Sequence, residues 1–280
     1  IFLGLEYYTD YNDRVFTDVD LLLNPEDGYR VYQYLLSNGY SLKKYSLPFY
    51  NNSLLANTLK KTYFKYLHHL EFEKEFFLEK NERITLLIEV HFNLNTNLKT
   101  KFDCKQMIND SIKKNFENIT FFRFSNEDYF IYLCVNICAH IAFIFPNQNN
   151  LTIDLQKLND ICYLIKNEEI NWTEVYQKSI IYETCIYVGF ISKIITALNC
   201  EIIPENFLKK IDNYVVNKHF YWEKIYFSKI SKENAIRIIF GVYDDYNFQN
   251  VQKKIENSQF NEHYKKILWI KCINQGRKIM

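Results

Sequence analysis

A pair of acidic residues carries the strongest chemical signal in the sequence. Asp18 and Asp20 lie in residues 14–23, which are predicted as a strand because Leu21 and the next two leucines continue the apolar run. Alternating side chains put both carboxylates on one face. Because neighbouring carboxylates repel each other when they lose hydration, the pair predicts a bound cation. Mg²⁺ is expected, with Mn²⁺ as the alternative, since such hard ions take oxygen ligands and substrate phosphates.

A second predicted strand, residues 83–94, carries a further acid. Glu89 and His91 would share one face of this strand, and the side chains of Ile88 and Val90 would point to the other. Glu89 is predicted as a third metal ligand or a general base, the alternative being an edge-strand glutamate paired with a lysine. His91 is expected to orient an acceptor or bind phosphate, the alternative being a structural histidine. For Asp18 and Asp20 the alternative is that the first predicted strand ends at Asp18, which would leave both acids in a solvated loop.

The elements that must position these residues begin with a strand, a loop and a helix over residues 14–39. Asn24 and Pro25 suit a helix start, and Asn38-Gly39 suits its end. Residues 62–73 fit a helix or a strand, and their aromatic content favours a strand.

Two adjacent histidines, His68 and His69, lie within that ambiguous stretch. They have no partner residues at the spacing of a zinc site, so both are interpreted as structural.

The pattern becomes helical from about residue 125. Helices are predicted over 125–145 and 152–166, from Asn171 with a break before Leu198, and from Pro204 onward. We therefore predict an α+β protein with a small α/β catalytic domain over residues 1–124 and an all-α acceptor-binding domain over residues 125–280.

Composition argues against several classes of function. A formal net charge of +1 over 280 residues gives no general nucleic-acid footprint, so a nucleic-acid partner is not favoured. The seven cysteines contain no C-x-x-C pair, which favours reduced, buried thiols and a cytoplasmic location. The apolar run of residues 180–198 contains Glu183 and Lys193, which argues against a membrane span. Because the chain begins with an isoleucine inside an apparent strand, N-terminal residues are expected to be missing.

Taken in order, Gly4, the Asp18-Val19-Asp20 segment and Glu89 resemble the DNA polymerase β-like nucleotidyltransferase superfamily. More narrowly, the chain is similar to poorly characterised bacterial nucleotidyltransferases over roughly residues 2–210. The matching segments are Phe2-Leu3-Gly4, residues 14–23, residues 88–92, Ala139-His140 and residues 155–160.

The resemblance implies a mixed sheet and metal-dependent transfer of a nucleoside monophosphate. The donor would be a nucleoside triphosphate, with ATP expected, and the acceptor would be an unidentified hydroxyl or phosphate on a small molecule, a protein side chain or a tRNA. The implied metal-binding and catalytic residues are Asp18, Asp20 and Glu89. The implied nucleotide-binding residues are Gly4, Arg14, His91, His140 and Lys157. Arg14 is included because the residue after Gly4 is Leu5, which has no hydroxyl, whereas the family often has a serine after the glycine that grips the triphosphate.

Two other functions stay open on the sequence. A glycosyltransferase also binds metal and diphosphate through Asp-x-Asp, but it would need a larger domain before the motif and leaves Glu89 unexplained. A catalytically inactive relative would act as a binding module or as a toxin–antitoxin-type partner.

Overall fold

The structure is a computed structural model that describes residues 18–43, 69–77, 83–94, 98, 100–116, 119–144, 155–198 and 202–217. The predictions for Gly4, Arg14 and the other residues before Asp18 lie outside the described residues, as do residues 62–68 and everything after residue 217. The fold is α+β, as predicted.

A four-stranded sheet positions the acidic residues. Its strands are β1 (Val19–Leu22), β2 (Ser41–Leu42), β3 (His69–Phe77) and β4 (Arg83–His91). The order in space is β1-β4-β3-β2, with β1 parallel to β4 and β3 antiparallel to both of its neighbours. The sheet is therefore mixed, as the resemblance implied, and the two strands that carry the acids are adjacent.

The first strand continues past the second acid. Asp18 lies immediately before β1, Asp20 lies within it, and the backbone N–H of Leu23 still donates to the carbonyl oxygen of His91 at 2.9 Å. Asp20 is therefore a strand residue, which rules out the alternative in which the strand ends at Asp18.

The predicted helix after β1 is present and begins with a tight turn. Pro25–Asp27 form a 3-10 turn, and α1 follows over Gly28–Ser37. Asn24 has the extended backbone of a capping residue, without a side-chain capping hydrogen bond. Gly39 has a φ of +80°, which glycine adopts at low cost, so the helix ends where the sequence predicted.

One face of the sheet packs on α1 and forms the core. The cluster of buried residues consists of Leu35, Leu70, Phe72, Ile88, Val90 and Phe92. On β4 the residues on either side of Val90 are only half-buried, whereas Val90 itself is 1% exposed. The predicted alternation along this strand is confirmed, and it leaves Glu89 and His91 on the face opposite the core.

A short helix and a hairpin follow the sheet and were not predicted. These elements are α2 (Cys104–Asn109), β5 (Ile112–Phe116) and β6 (Ile119–Arg123). The chain then divides into two compact units, residues 1–129 with 181–183 and residues 130–180 with 184–280.

The described elements after β6 are all helices. They are α3 (Asn126–Ile144), α4 (Leu155–Asn167), α5 (Trp172–Ile181), α6 (Cys185–Ala197) and α7 (Glu205–Asn217). The predicted break before Leu198 lies between α5 and α6, where Glu183 has a φ of +57°. Among the helices that the structure describes, none has the length and apolar composition needed to cross a membrane.

Candidate active site

Asp20 and Glu89 face each other across the parallel pair of strands. The register of β1 and β4 places Asp20 directly opposite Glu89. Neighbouring strands lie about 4.8 Å apart, so two carboxylates on the same face of such a pair are close. The side chain of Asp20 is about half exposed, whereas that of Glu89 is 22% exposed. The sheet therefore concentrates negative charge at one accessible position.

His91 contacts both carboxylates from the same face of β4. Its Nε2 atom lies 2.9 Å from Asp20 Oδ1 and 3.5 Å from Glu89 Oε2. One nitrogen or oxygen atom from each of the three residues lies within 4.8 Å of the other two. The two carboxylate oxygens are ligands that suit Mg²⁺ or Mn²⁺, whereas the imidazole nitrogen can bind an ion only after it loses its proton.

The same contacts shift the ionisation of these residues. The hydrogen bond from His91 lowers the pKa of Glu89, against the opposing effects of burial and of the charge on Asp20. Burial alone would lower the pKa of His91, but its hydrogen bonds to Asp20 and Glu89 and their charges raise it to about 9. The imidazolium of His91 therefore carries positive charge between the two carboxylates at neutral pH.

Comparison with known proteins places the sequence in a family. A family model described as an uncharacterised nucleotidyltransferase matches residues 1–182. The chain belongs to this nucleotidyltransferase family. The match spans β1 and β4, so it includes the Asp20, Glu89 and His91 cluster, and the general kind of reaction is nucleotidyl transfer. No curated protein and no solved structure is significantly similar to the chain.

The protein is expected to lose stability at alkaline pH when free of metal. The pKa of His91 rises from 6.5 to about 9 on folding, so its ion pairs contribute stability that is fully present below pH 6.5 and lost as the pH rises through about 9. The lowered pKa of Glu89 acts on the acid side, where its contribution is lost as the pH falls below 4.5. Urea unfolding in EDTA at several pH values measures both the alkaline and the acidic loss of stability.

The matched variant for this pH dependence is His91→Gln. It keeps a hydrogen-bonding side chain but cannot become a cation, so the alkaline decline should flatten. An alkaline decline of the same size in wild type and variant would show that other groups cause it.

The other predicted site residues do not all lie in this cluster. Asp18 is half-buried and stands next to β1, outside the three-residue group. Lys157, on α4, donates a hydrogen bond to Asn136 Oδ1 on α3 at 2.9 Å, within the second compact unit. His140 lies in α3, and its side chain is not among those described. The roles given to these residues stay predictions.

Two residues that sequence reasoning did not assign to the site adjoin it. His69 and Glu71 on β3 pair with His91 and Glu89 on β4. The rings of His69 and His91 have centroids 5.3 Å apart. The sequence signal is a reversed motif, because residues 69–71 read His-Leu-Glu and residues 89–91 read Glu-Val-His. Reading the two segments as the arms of one antiparallel hairpin would have identified them.

Proposed function

We propose that the protein is a metal-dependent nucleotidyltransferase that moves a nucleoside monophosphate from a nucleoside triphosphate to an acceptor hydroxyl or phosphate. ATP is the proposed donor. The supporting observation is the direct pairing of Asp20 with Glu89 across parallel strands, on the face opposite the core. One ligand atom from each of Asp20, Glu89 and His91 lies within 4.8 Å of the other two, a spacing at which a single cation could contact the carboxylates together.

The acidic residues of and beside the cluster are proposed as the metal ligands. Asp20 and Glu89 supply the oxygen ligands, and Asp18 is proposed as a further ligand from the start of the same strand. Bound divalent cations would neutralise the triphosphate and hold the attacking and leaving oxygens in line. The acceptor oxygen would form a bond to the α-phosphorus as the bond to pyrophosphate breaks, and a hydroxyl acceptor would lose its proton to water.

Glu89 fits the role of a ligand better than that of a general base. A metal ligand must be ionised, and the lowered pKa of Glu89 keeps it so at neutral pH. A general base works best with a pKa near the working pH, and a lowered carboxylate pKa moves away from that range. We therefore assign Glu89 to cation binding and leave proton acceptance to water.

A two-stage experiment tests this proposal on the full chain. Titration calorimetry with ATP in the presence of Mg²⁺ or Mn²⁺ should show saturable binding that EDTA abolishes. A screen of candidate acceptors with α-labelled ATP should then show label transfer together with an equal amount of pyrophosphate. Absence of binding with every nucleoside triphosphate and either metal would instead favour an inactive binding module.

A further inference from the structure

The face of the sheet opposite the core, here called the polar face, extends from β4 onto β3. It does so because the three-residue motif at 69–71 on β3 carries the same His and Glu as the motif at 89–91 on β4, in reverse order. Residues 69–71 and 89–91 run antiparallel, so His69 lies directly opposite His91 and the two glutamates lie opposite each other. The middle residue of each motif is 1% exposed and packs in the core. Alternation therefore places the outer residues of both motifs on the face that also carries Asp20.

A series of contacts between neighbouring side chains connects Lys43 on one side to His91 on the other. Lys43 Nζ lies 3.5 Å from Glu71 Oε2, and Glu71 Oε1 lies 3.4 Å from His69 Nε2. The His69 ring then lies beside the His91 ring, with the two planes tilted by 35°. The side chain of Glu71 is only 14% exposed, so its contact with His69 is partly shielded from water.

We propose that His69 is a positioning residue that holds the imidazole of His91 with its Nε2 atom toward Asp20 and Glu89. The proposal rests on the proposed function, because the consequence of that orientation is the geometry of the cation site. Side chains directly opposite each other on antiparallel strands lie close enough for one ring to restrict the rotamers of the other. The Glu71 carboxylate also contacts the His69 ring, at 3.4 Å from its Nε2 atom, but the proposed effect on His91 comes from ring packing alone.

The positions of the His69 ring atoms argue against a role for His69 as a metal ligand. Among the described residues, the group whose ligand atoms all lie within 4.8 Å of one another is Asp20, Glu89 and His91, without His69. The Nε2 atom of His69 lies toward Glu71 instead. The effect of His69 on the site therefore passes through the orientation of the neighbouring ring.

Two substitutions at one position test the proposal. His69→Ala removes the ring, and His69→Phe keeps a ring but supplies no nitrogen. We expect Mn²⁺ binding to the full chain, followed by electron paramagnetic resonance, to weaken by about ten- to a hundredfold in His69→Ala, the usual effect of losing such a support. His69→Phe should retain most of the wild-type affinity. Glu75→Gln, on the same strand but paired with Arg83 at 3.1 Å, is the control and should bind Mn²⁺ normally.

A second measurement needs no metal. In histidine-labelled protein with EDTA, the His91 ring should give one sharp set of resonances in wild type and in His69→Phe, and broadened resonances in His69→Ala. Equal losses of Mn²⁺ affinity in both variants would show that His69 supplies a ligand nitrogen, and an unchanged His69→Ala would show that it does not position His91; either result overturns the proposal. If the wild type bound no Mn²⁺, the proposed function would fail, while the ring resonances would still decide the role of His69.

Discussion

Asp20→Asn is expected to slow nucleotidyl transfer by about a hundredfold to a thousandfold, the usual loss when one group that stabilises transition-state charge is removed. Asparagine keeps the size of the side chain and its place on β1, but it removes the charge that faces Glu89 and His91. Binding of ATP in the presence of Mg²⁺ should weaken as well, because the lost carboxylate is a proposed ligand of the ion. Pyrophosphate release and titration calorimetry measure the two effects.

Asp27→Asn is the matched control for this experiment. Asp27 is an acid on the turn before α1, where it forms an ion pair with Arg30 at 3.0 Å. Its substitution removes the same charge from the same compact unit and should leave transfer and ATP binding unchanged. Transfer that survived in Asp20→Asn at the wild-type rate would refute the assignment of Asp20, provided that both variants unfold at similar urea concentrations.

The acidic pair at the centre of this prediction could be predicted only in part from the sequence. Alternation along a strand is a local property, so Glu89 and His91 on one face and Val90 on the other followed directly from the residues. The pairing of Asp20 with Glu89 depends instead on which strands are neighbours and in what register. Parallel pairing joins segments that are distant in sequence, and no local pattern specifies it.

The helix ends were predictable for a similar local reason. Pro25 and Gly39 act on their own backbone torsions, so they mark the limits of α1 without reference to the rest of the fold. The stretch over residues 62–73 was ambiguous because a short aromatic run fits a helix and a strand equally well. The assignment of His69 depended on that ambiguity, since its position beside His91 exists only in the hairpin of β3 and β4.

Val90→Asp is expected to unfold the sheet-bearing unit. Val90 is 1% exposed and packs in the core cluster, one residue away from Glu89 on the opposite face. An unpaired carboxylate buried there would cost at least about 3–5 kcal/mol, the range measured when a buried charge is left without its partner. Domains are stable by only about 5–15 kcal/mol, so the substitution would remove from about a third to nearly all of the unfolding free energy. Urea titration followed by circular dichroism measures the change.

Glu89→Gln is the informative comparison, because it alters the adjacent residue on the same strand. The substitution lies on the polar face, so it should change the free energy of unfolding far less than Val90→Asp does while removing a proposed metal ligand. Glu89→Gln should therefore lose transfer with little loss of stability, whereas Val90→Asp should lose both because the unit that carries the site unfolds. If the two variants lost equal stability, Glu89 would be a structural residue, and the separation of a core face from a reactive face would be wrong.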